Sequence, residues 1–258
     1  MGIYISGSIA YDRIMSFQDK FANHILPDKL HILNVCFLVE DLQEKFGGTA
    51  GNIAYSLALL EEQSNVLASV GEDFDRYERW FQQLGISLQG VKKVEGVPTA
   101  SAYITTDQAD NQITAFNPGA MAYPAQGYYN DFRADNGLAI VAPGNLEDMQ
   151  GFSKKYREMG LPYIFDPGQN TTAFNGEQLE EMINGSHTLI ANDYELSLIL
   201  QATGLSKEEL LKRTGTLVTT LGEEGSVIER TGQEEIRVPA ARVSGAKDPT
   251  GAGDAFRA

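Results

Sequence analysis

Near the carboxyl-terminal end of the sequence, Lys247-Asp248-Pro249-Thr250-Gly251-Ala252-Gly253-Asp254-Ala255-Phe256 places small residues directly ahead of an acid. Gly251, Ala252 and Gly253 let a backbone fold tightly and approach a ligand, and Ala255 with Phe256 has the character of a helix start. Amides at a helix start have no earlier partner in the helix, and with the positive end of its dipole they suit an anion. A carboxylate held there, Asp254, is expected to stay ionised and to accept a proton from a hydroxyl beside a bound phosphate. The same residues also describe a plain helix N-terminus with Asp254 as a dipole-friendly cap, and the loop alone does not separate the two readings.

Competing chemistries lack their signatures. There is no G-x-x-x-x-G-K-[ST] phosphate loop, no G-x-G-x-x-G after the first strand, no G-x-S-x-G elbow and no H-E-x-x-H helix. His24, His31 and His187 are scattered without metal-ligand spacing.

The segment 248–254 (DPTGAGD), together with Gly47-Gly48-x-x-x-Asn52, resembles the two signature regions of the ribokinase-like family, the phosphofructokinase B type sugar and nucleoside kinases. Asn192-x-x-Glu195 resembles that family's magnesium-associated motif, and Thr220-Leu221-Gly222-x-x-Gly225 its nucleotide loop, so the likeness spans the chain. The resemblance implies an α/β fold, a three-layer sandwich around a mostly parallel sheet with a small β lid, and an ATP-dependent kinase.

By the same resemblance, Asp254 is the base that deprotonates the acceptor hydroxyl, and the N–H groups of Gly251, Ala252 and Gly253 form an anion hole for the γ-phosphate. Phosphoryl transfer depends mainly on positioning and charge stabilisation, which such parts can supply. Asn192 and Glu195 organise Mg²⁺ through water; read only as residues, they are an N-cap and the third position of a capping box. Asn192, Thr220, Gly222, Gly225 and Asp248 hold the nucleotide, although a strand ending in a glycine turn also accounts for 220–225. A monovalent cation and a homodimer are compatible with the family.

On the acceptor side, Asp12, Gly47, Gly48 and Asn52 match the positions that grip vicinal hydroxyls in the family. The stretches around Phe116 and Gln169 look most like the branch of archaeal nucleoside kinases and bacterial proteins called adenosine kinases, which makes both residues candidates for substrate binding. Phe116 either stacks on a nucleobase or packs under the sheet. A primary hydroxyl of a nucleoside, adenosine first, is the expected acceptor; a free sugar or sugar phosphate, ribose- or fructose-like, is the alternative. A non-catalytic small-molecule binder without a complete nucleotide site is a further one. Family members continue well beyond the GAGD loop, whereas this sequence stops at Ala258, so the expectation is a truncated, clipped or incompletely recorded chain. Its last helix has barely one turn, marginal without tertiary support.

The elements that must hold these residues follow from periodicity. A buried strand over 3–6 closes at Gly7, strand formers fill 30–39, and apolar residues at helical spacing cover 50–60 directly after Gly47-Gly48. A strand over 66–70, a helix over 73–84 and a hairpin from 100–106 and 112–116 come next. Strands over 138–141, 163–165 and 188–190 then alternate with helices over 146–159, 177–183 and 195–201, and a hairpin covers 226–238. Such alternation implies right-handed βαβ units and a parallel sheet covered on both faces. The expected division is a main domain of 1–11, 41–97 and 120–258 and a discontinuous lid of 12–40 and 98–119, whose β segments pair into one small second layer.

Composition is that of an ordinary globular protein: 258 residues, 42% hydrophobic and 21% charged. With 20 Lys+Arg against 35 Asp+Glu the net charge is −15, which argues against nucleic acid or a membrane as partner while leaving a small anionic ligand open. One cysteine, Cys36, allows no intramolecular disulfide. No basic apolar leader and no long apolar run is evident, and a cytoplasmic location is the expectation.

Overall fold

The computed structural model describes residues 2–242 and 251–258. Strand β1 (Gly2–Ser6) leads into β2 (Ala10–Phe17), and after a long connection β3 (Val39–Gly47) runs into helix α1 (Thr49–Leu59). Then come β4 (Ser64–Val70), α2 (Asp75–Gln83), β5 (Val91–Lys93), β6 (Ala100–Thr106) and β7 (Gln112–Asn117). The remainder alternates: β8 (Gly137–Val141), α3 (Leu146–Met159), β9 (Tyr163–Phe165), α4 (Gly176–Ile183), β10 (Thr188–Asn192), α5 (Asp193–Thr203), α6 (Lys207–Arg213) and β11 (Thr216–Thr220). A hairpin of β12 (Ser226–Glu229) and β13 (Ile236–Val238) and the short α7 (Ala252–Arg257) complete it.

The larger sheet has the order β13-β12-β11-β10-β9-β8-β1-β4-β5. Every pairing from β11 to β5 is parallel; the β11–β12 and β12–β13 pairings are antiparallel, so β12 alone runs against the rest. Side chains of one strand alternate between faces, so a strand buried on both faces feeds two cores. In β1, Tyr4 joins a cluster with Met149, Phe152 and Tyr156 of α3, while Ile3 and Ile5 join another with Ile53 of α1 and Tyr77 and Phe81 of α2. These are the outer two layers of the sandwich. Strand β1 lies between β8 and β4, where the chain reverses its direction of travel across the sheet. In open α/β sheets, ligands bind outside the carboxyl ends of the strands at such a reversal.

The smaller sheet, ordered β3-β2-β6-β7, rises from that point, because β2 starts just past the end of β1. It joins two distant chain segments, as the sequence implies: β2 pairs in parallel with β6, and antiparallel pairings place β3 and β7 on either side. Its tip is pinned by Asp107, whose carboxylate accepts from the backbone of Phe21, Ala109 and Asn111. These bonds bring the Asp107 carboxyl down to about 2, against the opposing effect of desolvation.

One expected strand is absent. Residues 30–39 carry strand formers, yet Pro27–Ile32 is a 3-10 helix and extended pairing starts only at Val39. Leu30, Ile32 and Leu33 find no core face there and stay exposed, and β propensity without a packing surface is weak. The strand that does form, β3, is mostly charged and exposed, as suits the edge of a small sheet. It also moves residues from Asp41 to Gly47 into the small sheet, whereas the sequence division put them in the main body.

Candidate active site

At the end of β1 the chain turns tightly and locks to the start of α1. Ser8 donates its amide to the Pro143 carbonyl at 3.1 Å, Thr49 Oγ1 donates to the same carbonyl at 2.6 Å, and the Ala50 amide donates to the Ser8 carbonyl at 3.0 Å. Gly48 makes this approach possible: its φ is +89°, and a Cβ there would lie 2.6 Å from the Ser8 carbonyl oxygen. A Cβ on Gly47 would run into the Asp12 carboxylate, so the glycine pair clears the space that this acid occupies. Tyr77, buried on α2, donates its hydroxyl to the Gly47 carbonyl at 2.8 Å and fixes the pair from behind.

One turn into α1, Asn52 Nδ2 donates to Asp254 Oδ2 at 2.8 Å across 202 residues of sequence. Asp254 lies in the first turn of α7, where the Ala255 amide makes an early helical bond, to the Gly251 carbonyl, leaving the amides ahead of it at the orphan positions of a helix start. The other carboxylate oxygen of Asp254 lies 3.4 Å from Arg257 Nη1, and the Nε side of that guanidinium pairs with Asp166.

Asp12, Gly48, Asn52, Phe116, Gln169 and Asp254 line one cavity of about 520 Å³, together with Pro143, Gly144 and Asn170. The small sheet supplies Asp12 and Phe116, α1 supplies Asn52, and the 3-10 turn Gly168–Ala173 after β9 supplies Gln169. Phe116 is half exposed on this wall and therefore is not core packing. Gly251 and Ala252 face a neighbouring recess of about 580 Å³, also bounded by Asn52 and Trp80.

Gly253 lies in the first turn of α7, and the residues expected to hold nucleotide and metal are outside this cavity but share its edge of the sheet. Asn192 and Thr220 end β10 and β11, and Glu195, Gly222 and Gly225 follow directly. Asn192 and Glu195 form a complete capping box: Asn192 Oδ1 accepts from the Glu195 amide at 2.7 Å and Glu195 Oε2 from the Asn192 amide at 2.9 Å. Gly225, at φ +96°, has the Val238 carbonyl packed where a Cβ would stand. Asp248 lies outside the described residues.

Burial sets the charges of the cavity. Desolvation raises the Asp254 carboxyl above its ordinary value, against the Asn52 hydrogen bond and the Arg257 cation, which both favour the ionised form. Asp12 is likewise raised by desolvation, offset by Lys45 and reinforced by the Asp254 charge. The sequence suggested a carboxylate held firmly ionised; the structure gives one whose proton affinity is increased by burial. Sequence reasoning missed Arg257 and Asp166. Arg257 stands three positions after Asp254, the spacing that brings two helical side chains together, which was a usable signal; nothing local marks Asp166 as its partner.

A family model for pfkB family carbohydrate kinases matches residues 13–258. The chain belongs to that family. A nucleoside kinase of Methanocaldococcus jannaschii is 31% identical over 227 residues, 87% of this chain and 74% of the relative. The solved structure of a Burkholderia thailandensis nucleoside kinase in complex with inosine is 39% identical, with a TM-score of 0.83 over 99% of this chain and 81% of that one. The same enzyme in complex with ADP-inosine gives 40% identity and a TM-score of 0.81, covering 99% of this chain and 80% of that one. This pfkB family kinase therefore has the ribokinase-like fold that its motifs imply, a parallel central sheet with a second small one. Among the described residues, no helix is long and apolar enough to cross a membrane.

In this kinase Asp166 is fully buried, and burial pushes its carboxyl up from 3.8 to about 7 even though the Arg257 cation opposes the shift. Its native value lies above the unfolded one, so this group favours the folded state at low pH and that contribution is lost as pH rises from about 4 through about 7. Thermal unfolding followed over that window should show the decline in the parent chain and a flatter profile in Asp166→Asn.

Proposed function

We propose that this chain transfers the γ-phosphoryl group of ATP to the primary hydroxyl of a nucleoside, with adenosine as the preferred acceptor. The observation that carries this reading is the Asp254 carboxylate, held by Asn52 at 2.8 Å in the same cavity as Asp12 and a half-exposed Phe116. Asp12 accepts from the ribose hydroxyls beside Gly47, Gly48 and Asn52, Phe116 offers its ring to the base, and Gln169 contributes a polar contact from the turn after β9. Asp254 takes the proton of the primary hydroxyl as that oxygen bonds to the γ-phosphorus and the bond from the γ-phosphorus to the bridging oxygen of ADP breaks. The amides of Gly251, Ala252 and Gly253 receive the charge on the transferred group. The relatives named as nucleoside kinases, one solved with ADP-inosine, support both co-substrates.

The nucleotide is assigned to the loops after β10 and β11, with Thr220, Gly222, Gly225 and Asp248. The capping box engages the single side-chain oxygen of Asn192 and one of the two of Glu195, so Glu195 Oε1 and the second lone pair of Asn192 Oδ1 remain to accept from the water shell of a hydrated ion rather than to ligate it directly. Bound there, Mg²⁺ would offset the charge of the phosphates. A monovalent cation is left as a family property to be tested by ion replacement.

ADP release measured with adenosine, inosine, cytidine, ribose and fructose 6-phosphate tests the reading. Adenosine should give the highest kcat/KM and the free sugars the lowest. Faster turnover of a sugar than of every nucleoside would transfer the assignment to a sugar kinase. Calorimetric binding of adenosine with no ATP binding and no ADP release would make the chain a binder instead.

A further inference from the structure

Asp254 lies in the first turn of α7, beside the orphan amides of the helix start, so the groups its carboxylate touches set its orientation. Two contacts are present: Asn52 on one carboxylate oxygen and Arg257 on the other. Arg257 is itself held, its side chain 13% exposed, by Asp166, which is 0% exposed and lies directly after β9. Neither Asp166 oxygen has a well-aligned hydrogen bond among the described residues, so the guanidinium is the compensating group for this buried acid. Burying an acid this way contributes little to stability compared with an apolar side chain, which directs attention to geometry as its role. Asp166 also starts the turn carrying Gln169 and Asn170 into the acceptor cavity, and Asn170 Nδ2 bonds the Gly144 carbonyl at 2.9 Å on that wall.

We propose that Arg257 and Asp166 form a positioning pair, in which the Arg257 guanidinium, seated on the buried Asp166 carboxylate, aims the Asp254 carboxylate at the acceptor hydroxyl and ties it to the wall that carries Gln169. The proposal rests on Asp254 being the base. Arg257 touches neither substrate in this scheme and acts only through Asp254. Removing it therefore frees one oxygen of the base, while Asn52 still holds the other and the acceptor contacts of Asp12 and Phe116 are untouched.

The test is a set of variants with kcat measured by ADP release and acceptor Kd by calorimetry. Arg257→Ala should lower kcat by about 10²-fold, the scale of a misplaced reacting group, with acceptor Kd changed less than about twofold. Free guanidinium in the assay should restore part of that loss, which a purely structural role would not allow. In an Asp254→Asn background, Arg257→Ala should cost almost nothing further, since the group it positions is already gone. Asp166→Asn should lower kcat less than Arg257→Ala does. Should Arg257→Ala fail to fold by circular dichroism, Arg257→Lys takes its place: it keeps the charge, loses the forked geometry and should still lower kcat by about tenfold. Unchanged kcat in the folded Arg257 variant overturns the proposal, as does an undiminished loss in the Asp254→Asn background, which would mean that Arg257 merely anchors α7. If Asp254→Asn alone keeps parental kcat, it is the base assignment that fails, a result distinct from either of these.

Discussion

With Asp254 as the proposed base, Asp254→Asn should lower kcat by about 10²- to 10⁴-fold while acceptor affinity stays within about twofold, the usual signature of a lost general base. Asparagine matches the shape of the residue it replaces, and its side-chain oxygen can still accept the Asn52 hydrogen bond that now measures 2.8 Å. What it cannot do is take a proton. Steady-state kinetics paired with calorimetry separate the two effects, and a loss of acceptor affinity as large as the loss of kcat would make Asp254 a binding residue. The pH dependence carries a second signature. Desolvation raises the Asp254 carboxyl, so a base at this position protonates at a higher pH than an exposed aspartate, and the acid limb of parental kcat should shift upward with it. That limb should disappear from the residual activity of Asp254→Asn.

The parts of this site that the sequence made legible are those whose chemistry demands a special backbone. Gly48, at φ +89° against the Ser8 carbonyl, cannot be another residue without strain, and Gly251 ahead of α7 has φ +77°. Such glycines stand out in a sequence because few other residue types can replace them. The alternating helices and strands were equally visible, since a two-sided parallel sheet imposes continuous apolar runs, as in Leu189, Ile190 and Ala191 of β10. Residues 30–39 misled for the complementary reason: apolar content reports a wish for burial, and only the tertiary structure decides whether a face exists to receive it. Charge behaved likewise. The helix start around Asp254 suggested an easily ionised acid, but burial among Asn52, Asp12 and the cavity walls has the larger effect and reverses the sign. The Asp166 to Arg257 pair was invisible because it joins the end of β9 to the last helical turn, and no local pattern encodes that meeting.

Asp12→Ala is expected to raise the acceptor KM by about 10²- to 10⁴-fold while kcat at saturation falls far less. Two hydrogen bonds from sugar hydroxyls to a charged carboxylate are each worth about 1.5 to 3 kcal/mol, and their joint loss falls in that range of binding constants. The space around Asp12 makes the effect specific, because Gly47 leaves room for the carboxylate but supplies no side chain that could stand in for it. Removal should therefore erase a preference as well as an affinity. A ribonucleoside offers Asp12 two hydroxyls and its 2′-deoxy counterpart one, so the parental enzyme should favour the ribonucleoside, and Asp12→Ala should bring the two kcat/KM values together. Asp12→Asn, keeping one accepting oxygen, should fall between. If Asp12→Ala instead lowers kcat and leaves the ribose preference intact, the vicinal hydroxyls are held elsewhere, and Asp12 acts on Asp254 through the charge that couples the two acids across the cavity.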